Sequence, residues 1–385
     1  MRAFPFAVGL LIGALLSISA AAESKATATE KITIVQLDQT LAAAHDKADG
    51  DIAQRLSTCE LTERLSTARL AQLIAVLPGE KSRQALLLLA DKSAFLEVPA
   101  SDIPGDPTPD SATTRQMLVQ IVNYVNTTLR QLPNLIASRE TTAFEDRPQE
   151  DQLQSTGVVS LSYLPLHFVG KSSAIVTFRD RKEVVDEGSG KQRQGNVGGM
   201  IVNGEFGPIL STVVADALKG KITWARWEKG AAGRLAVFHY AVPGDKSFYR
   251  VQFCCFVNGY NTTTGQSEMQ LFDERSAYHG EITFNPADGS ILRMTLEAEM
   301  PPKGLVPSAG IAIDYGPVEI AGKSYIGPIR SVSQLTAHTA QPHGMYSQAL
   351  YEGPTKTFLN NAVYDQYRRF GSETRILAGA AEPAQ

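Results

Sequence analysis

The residues with the most chemistry in this 385-residue chain are its six histidines and three cysteines. The histidines are His45, His167, His239, His279, His338 and His343. Only His338 and His343 are close in sequence, and a spacing of five suits neither one helix face nor one strand face. A preformed metal pair is therefore not expected. His239 lies in a strand-like run and His279 precedes one. Either would act as a general base only beside a carboxylate, such as Asp245 or Asp273, and a nucleophile. The plainer reading is a hydrogen-bonded histidine on a sheet. No G-x-S-x-G, S-x-x-K or H-E-x-x-H pattern is present. Gly316 and Gly322-Lys323-Ser324 have five residues between the glycines, where a phosphate loop has four, and they sit between strand-like runs. That segment reads as a hairpin turn. The expectation is a protein with no catalytic residues and no cofactor, not an enzyme.

Cys254 and Cys255 are adjacent in a strand-like run, where neighbouring side chains point to opposite faces. Two arrangements stay open: three buried thiols, or a disulfide from Cys59 to Cys254 or Cys255 that ties the helical part to the sheet. A vicinal bond between Cys254 and Cys255 would disrupt strand pairing. Trp224 and Trp227 face opposite sides of a strand unless a bulge intervenes. With Phe238, Tyr240, Phe253 and Met294 they are the candidate lining of an apolar ligand pocket, chosen by residue type and position. The ordinary role for such side chains is core.

The elements that must hold these residues divide the chain. Of 29 aromatic residues, four precede residue 143. Aromatics favour strands, so a helical part precedes a β-rich one. Thr33 and Gln36 have capping-box spacing before an apolar stripe at Ile34, Leu37 and Leu41. Further helices are expected near Ile52–Cys59, Leu70–Leu77 and Lys81–Phe95. Leu118, Ile121, Val122, Val125 and Leu129 complete another stripe. Later, period-two alternation marks strands around Val237, Val251, Met294 and Ile313. Pro286-Ala287-Asp288-Gly289 and Ala321-Gly322-Lys323 are hairpin turns, and one helix is expected at Ile209–Leu218. Sequential hairpins imply antiparallel pairing.

Met1-Arg2, an apolar run from Ala7 to Ile18 and Ala20-Ala21-Ala22 read as a secretory signal peptide cleaved after Ala22. No later apolar run approaches the roughly 18 residues of a spanning helix, so the mature chain is expected without a transmembrane span. The location implied is periplasmic or secreted, in a bacterium. Net charge is −4, with no basic stripe, which sets nucleic acid aside as a partner. The organisation expected is a signal peptide at residues 1–22, a helical domain at 23–131, an antiparallel sheet domain at 132–377 and a disordered tail at 378–385.

Tyr278-His-Gly-Glu-Ile-Thr-Phe-Asn-Pro-Ala-Asp-Gly-Ser-Ile-Leu-Arg and Ile313-Asp-Tyr-Gly-Pro-Val-Glu-Ile-Ala-Gly-Lys-Ser-Tyr resemble segments of uncharacterised secreted bacterial proteins. The sheet of those proteins looks like that of the periplasmic lipoprotein-sorting carriers (LolA-like). Leu132-Pro133-Asn134 is similar to the same group, and the likeness covers about residues 132–377. The resemblance implies a curved antiparallel half-barrel with covering helices; together with the N-terminal helical bundle read from the apolar stripes, which the likeness does not cover, the fold expected is α+β. The resemblance also implies a concave face that holds a lipid, an acyl chain or another hydrophobic small molecule, and it carries over no functional residue. The alternative is a cell-envelope interaction or stress-sensing module with an envelope protein as partner.

Overall fold

In the computed structural model, Thr33 and Gln36 close the expected capping box at the first helix. The structure describes residues 29–44, 46–154, 157–186, 198–231, 233–261, 266–339 and 353–370. The signal peptide and the tail expected from the sequence lie outside the described residues.

The first unit comprises β1 (Glu30–Ile32), α1 (Ile34–Ala43), α2 (Asp49–Ser57), β2 (Cys59–Leu61), α3 (Thr67–Val76) and α4 (Glu80–Lys92). Strands β1 and β2 pair in parallel. The apolar stripes of the helices meet in a core of their own, with Leu37, Leu56 and Leu86 fully buried. Helix α5 (Ser111–Asn123) runs on through a wide turn at Tyr124–Thr128 and a tight one at Leu129–Gln131.

The rest is β-rich. It comprises β3 (Leu135–Arg147), β4 (Glu150–Gln154), β5 (Gly157–Leu161), β6 (Leu164–Arg179), β7 (Lys182–Asp186), β8 (Gly199–Met200), helix α6 (Pro208–Ala217), β9 (Lys221–Gly230) and β10 (Gly233–Val242). There follow β11 (Arg250–Asn261), β12 (Gln266–Arg275), β13 (Ala277–Phe284), β14 (Ile291–Glu299), β15 (Ser308–Ile320), β16 (Lys323–His338) and β17 (Thr355–Arg369). Ten strands form one open antiparallel sheet in the order β7-β6-β3-β17-β16-β15-β14-β13-β10-β9. Strands β12, β11 and β8 form a second, smaller sheet, and β4 pairs with β5. The chain is thus α+β, with an open antiparallel sheet. Both expected hairpins are present. Ala321 and Gly322 adopt positive φ between the paired residues Ile320 and Lys323, the conformation a two-residue hairpin loop requires.

The large sheet is covered on both faces, by different chemistry. One face is apolar. Tyr240, Tyr278, Met294, Leu296, Ile311 and Ile313 pack in one cluster with Ile121 of α5 and Val213 of α6. Helix α5, which composition assigns to the helical part, therefore belongs to the core of the sheet. Its stripe at Met117, Ile121 and Val125 is buried there.

The opposite face meets the first unit through charge. Arg330 of β16 pairs with Asp91 of α4, and Arg293 of β14 pairs with Asp314 of β15. Thr67 of α3 donates to the same Asp314 carboxylate. Arg64 reaches Glu228 of β9 at 2.9 Å, and Arg226 binds Glu228 at 2.7 Å, Glu281 at 2.6 Å and Glu97 at 3.1 Å. Apolar contact is small there, confined to Ala94 and Phe95 against Ala312 and Val332. Burial pushes the Asp314 carboxyl up, but Arg293 and Arg330 outweigh it and hold it below the usual range.

Candidate functional site

The six residues singled out from the sequence come together, but as core. Trp224 and Trp227 lie on one side of β9 because Ala225 is an extra residue there. Arg226 pairs with Val237, and Trp224 pairs with Phe238. This bulge brings the two indole rings to 4.7 Å. Trp224 lies 5.7 Å from the Phe238 ring, and Trp227 donates to the Pro107 carbonyl at 3.0 Å. Phe238, Tyr240 and Met294 are completely buried, and Trp227 and Phe253 nearly so. All five belong to the cluster that α5 and α6 fill, with Trp224 packed against it. The Tyr240 hydroxyl donates to the Thr295 carbonyl at 2.6 Å. The chain's own helices occupy the apolar face that the sequence offered to a ligand.

The cysteine pairing differs from the expectation. Cys254 and Cys255 are bonded to each other, and Cys59 is a buried free thiol, so no disulfide runs from Cys59 to the sheet. The β11–β12 register breaks between Phe253 and Phe256, which accommodates the vicinal pair at a bulge. Cys59 instead donates to the Arg55 carbonyl within its own unit, and burial pushes its thiol up.

Among the described residues, the histidines assemble no nucleophilic site. The His239 and His279 rings are 6.1 Å apart, and His279 lies 3.5 Å from Glu299 and 4.0 Å from Glu297. Among the described residues, neither ring is hydrogen-bonded to a serine, threonine or cysteine. Among the same residues, no three His, Cys, Asp or Glu side chains are placed to hold a metal ion.

An open cleft of about 390 Å³ lies between the end of α5 and α6, closed at one side by Phe248. That volume is within the range of small-ligand sites. Val122, Val125, Leu218 and Phe248 supply apolar wall, and Ser211, Thr212 and Asn126 supply hydroxyl and amide groups. Two cations stand at its rim. Arg130 is exposed and reaches Asn126 at 3.4 Å, and the Lys219 ammonium lies 4.6 Å from the Phe248 ring centre. Asp216 anchors the floor. It is 1% exposed, and it accepts from the Phe248 amide at 2.7 Å and the Tyr278 hydroxyl at 3.1 Å. Burial, reinforced by Asp216, pushes the Tyr278 hydroxyl far above its ordinary value, so it stays a donor.

None of these cleft residues was a sequence candidate. One signal was available: Ser211, Thr212 and Ala215 share a face of α6, opposite to buried Leu210, Val213 and Ala217, and Lys219 lies just past the end of the helix. Compared with known proteins, the chain matches no family model, no curated protein and no solved structure.

Proposed function

We propose that the chain is an exported, non-catalytic binding protein for an amphiphile, held in the cleft between α5 and α6. In this reading the large sheet is the half-barrel implied by the resemblance, and α5 and α6 are its covering helices. The first unit is the added helical bundle, and the location is periplasmic or secreted. The carrying observation is the pairing of an apolar wall, Val122, Val125, Leu218 and Phe248, with cations at one rim, Arg130 and Lys219. An acyl or other hydrophobic body suits the wall, and an anionic head suits the rim. The cleft replaces the sheet-lined pocket, because the six aromatic and methionine candidates are filled core.

Native mass spectrometry with organic extraction, on full-length protein purified from the cell envelope, tests this. A stoichiometric lipid or fatty acid supports it and names the ligand class. A clean apo mass, with no binding of an added fluorescent fatty acid, removes it.

A second reading, an envelope interaction or stress-sensing module, draws on a different observation. The first unit is docked on the sheet mainly through ion pairs, the character of an interface that opens. Co-purification of a stoichiometric envelope protein, with no lipid in the extract, favours that reading.

A further inference from the structure

Phe248, in the loop between β10 and β11, is the most exposed aromatic ring among the described residues, at 66%. The ring is held outward by its neighbours. Ser247 and Tyr249 on either side are buried, and the Tyr249 amide donates to the Ser247 hydroxyl at 3.1 Å. The Phe248 amide itself is fastened to buried Asp216. Leu218, 52% exposed at the end of α6, lines the same cleft. Apolar groups fixed in water are unfavourable until something covers them, and such a tip marks a contact surface.

Cations surround this tip. The Lys219 ammonium lies 4.6 Å from the Phe248 ring centre and the Arg275 guanidinium 5.8 Å. Lys246 donates to the Lys219 carbonyl at 2.7 Å, and Arg275 donates to the Asp245 carbonyl at 2.7 Å. Both acceptors are neutral, and among the described residues neither side chain forms an ion pair with a carboxylate, so both charges stay uncompensated. Lys219 lies 3.7 Å from Asp216. The exposed carboxylates of these segments are Asp245 and Glu274, while Asp273 is taken by Arg250 at 2.6 Å. Lys221, exposed at the start of β9, adds to the excess of cations, on a chain whose net charge is −4.

We propose that Phe248 and Leu218, with Lys219, Lys246 and Arg275 around them, form a docking surface for an anionic lipid bilayer. The ring and the leucine enter the headgroup layer, and the cations meet the lipid phosphates. A bilayer offers negative charge and hydrocarbon together, over the short depth that one ring and one leucine span. The cleft opens at the same residues, so docking sets its mouth against the membrane. Docking does not depend on a ligand in the cleft.

The test is sedimentation of the full chain with vesicles of two compositions. One is equal parts phosphatidylglycerol and phosphatidylcholine, and the other is phosphatidylcholine alone. Wild type binds the anionic vesicles at least about tenfold more tightly than the neutral ones, and added salt weakens that binding. Equal binding to both, or binding to neither, overturns the proposal. Lys246→Gln with Arg275→Gln removes two charges, keeps a donor for each carbonyl and changes no residue that lines the cleft. This variant binds the anionic vesicles about thirtyfold more weakly. Binding equal to wild type places the contact elsewhere and overturns the proposal. Phe248→Cys carrying an environment-sensitive dye reads the apolar half, since Cys59 is buried and Cys254 and Cys255 are bonded to each other. The dye emission shifts to the blue on anionic vesicles, and an unchanged spectrum overturns insertion. Protein with a clean apo mass that still sediments supports docking and removes the cleft reading alone. Lipid-loaded protein that does not sediment overturns docking alone.

Discussion

Arg330 of β16 and Asp91 of α4 form an ion pair with both side chains almost wholly excluded from water, and Asn361 of β17 donates to the same Asp91 oxygen at 2.8 Å. One carboxylate thus joins α4 to two adjacent strands. Removing one partner strands a buried charge, so Arg330→Met is expected to destabilise the chain by about 3–5 kcal/mol. The double substitution Arg330→Met with Asp91→Leu recovers most of that loss. Chemical denaturation of the two variants against wild type measures both. Equal losses in the single and double variants would show that the pair is not the joint.

Arg130→Glu with Lys219→Glu reverses the sign of the cleft rim. Binding of a fluorescent fatty acid is expected to weaken at least about tenfold; because Lys219 also lies 3.7 Å from the buried Asp216 carboxylate, the variant's fold is checked by circular dichroism alongside the titration. Binding to wild type falls with added salt, since exposed charges are screened. Titration at two ionic strengths reads both effects. By contrast, Phe238→Ala is expected to cost about 3–5 kcal/mol of stability, as a large side chain lost from a filled core.

The cysteines give a simple labelling result. A thiol reagent under non-reducing conditions labels one cysteine per chain, Cys59, and only after unfolding, because that thiol is buried. After reduction it also labels Cys254 and Cys255. Peptide mapping that shows Cys59 joined to either would contradict the vicinal bond.

Asp49 and Gly79 act as one device. Asp49 accepts from the amides of Lys81 and Ser82 at the start of α4. A Cβ added at Gly79 would fall 2.4 Å from the Asp49 carboxyl carbon, so only glycine leaves the carboxylate room. Gly79→Ala is expected to destabilise as much as Asp49→Ala, and the double variant no more than either. Hydrogen bonds from Ser82 hold the Asp49 carboxyl below its ordinary 3.8. Its stabilisation is therefore complete above about pH 3.8 and is lost as pH falls through the lower folded value. Wild type loses this increment in an acid titration, and Asp49→Ala has none to lose.

Local features were legible. The Thr33–Gln36 box, the stripe of α5 and the turn at Ala321-Gly322 each depend on a few neighbouring residues, and each appears as read. Periodicity shows that a face is buried but not what buries it. The stripe at Ile121 and Val125 was clear, while its partner, the apolar face of the large sheet, was not. For the same reason Phe238, Tyr240 and Met294 read equally well as ligand wall and as core. The charged contacts join residues as distant as Asp91 and Arg330, and the cleft joins α5 to α6 and Phe248. No short pattern encodes such pairings.

Strand order carries one more consequence. Strand β17 is the last described strand, yet it lies inside the large sheet, between β3 and β16. Phe358 pairs with Glu145, so the β3–β6–β7 portion waits for a distant segment before it joins the β13–β16 meander. Until β17 arrives, two strand edges stand open with unpaired amides and carbonyls. The sheet is completed by insertion at its interior rather than by growth at its margins. The large sheet therefore depends on pairing between β3 and β17, which are more than two hundred residues apart along the chain, the kind of non-local contact that slows folding.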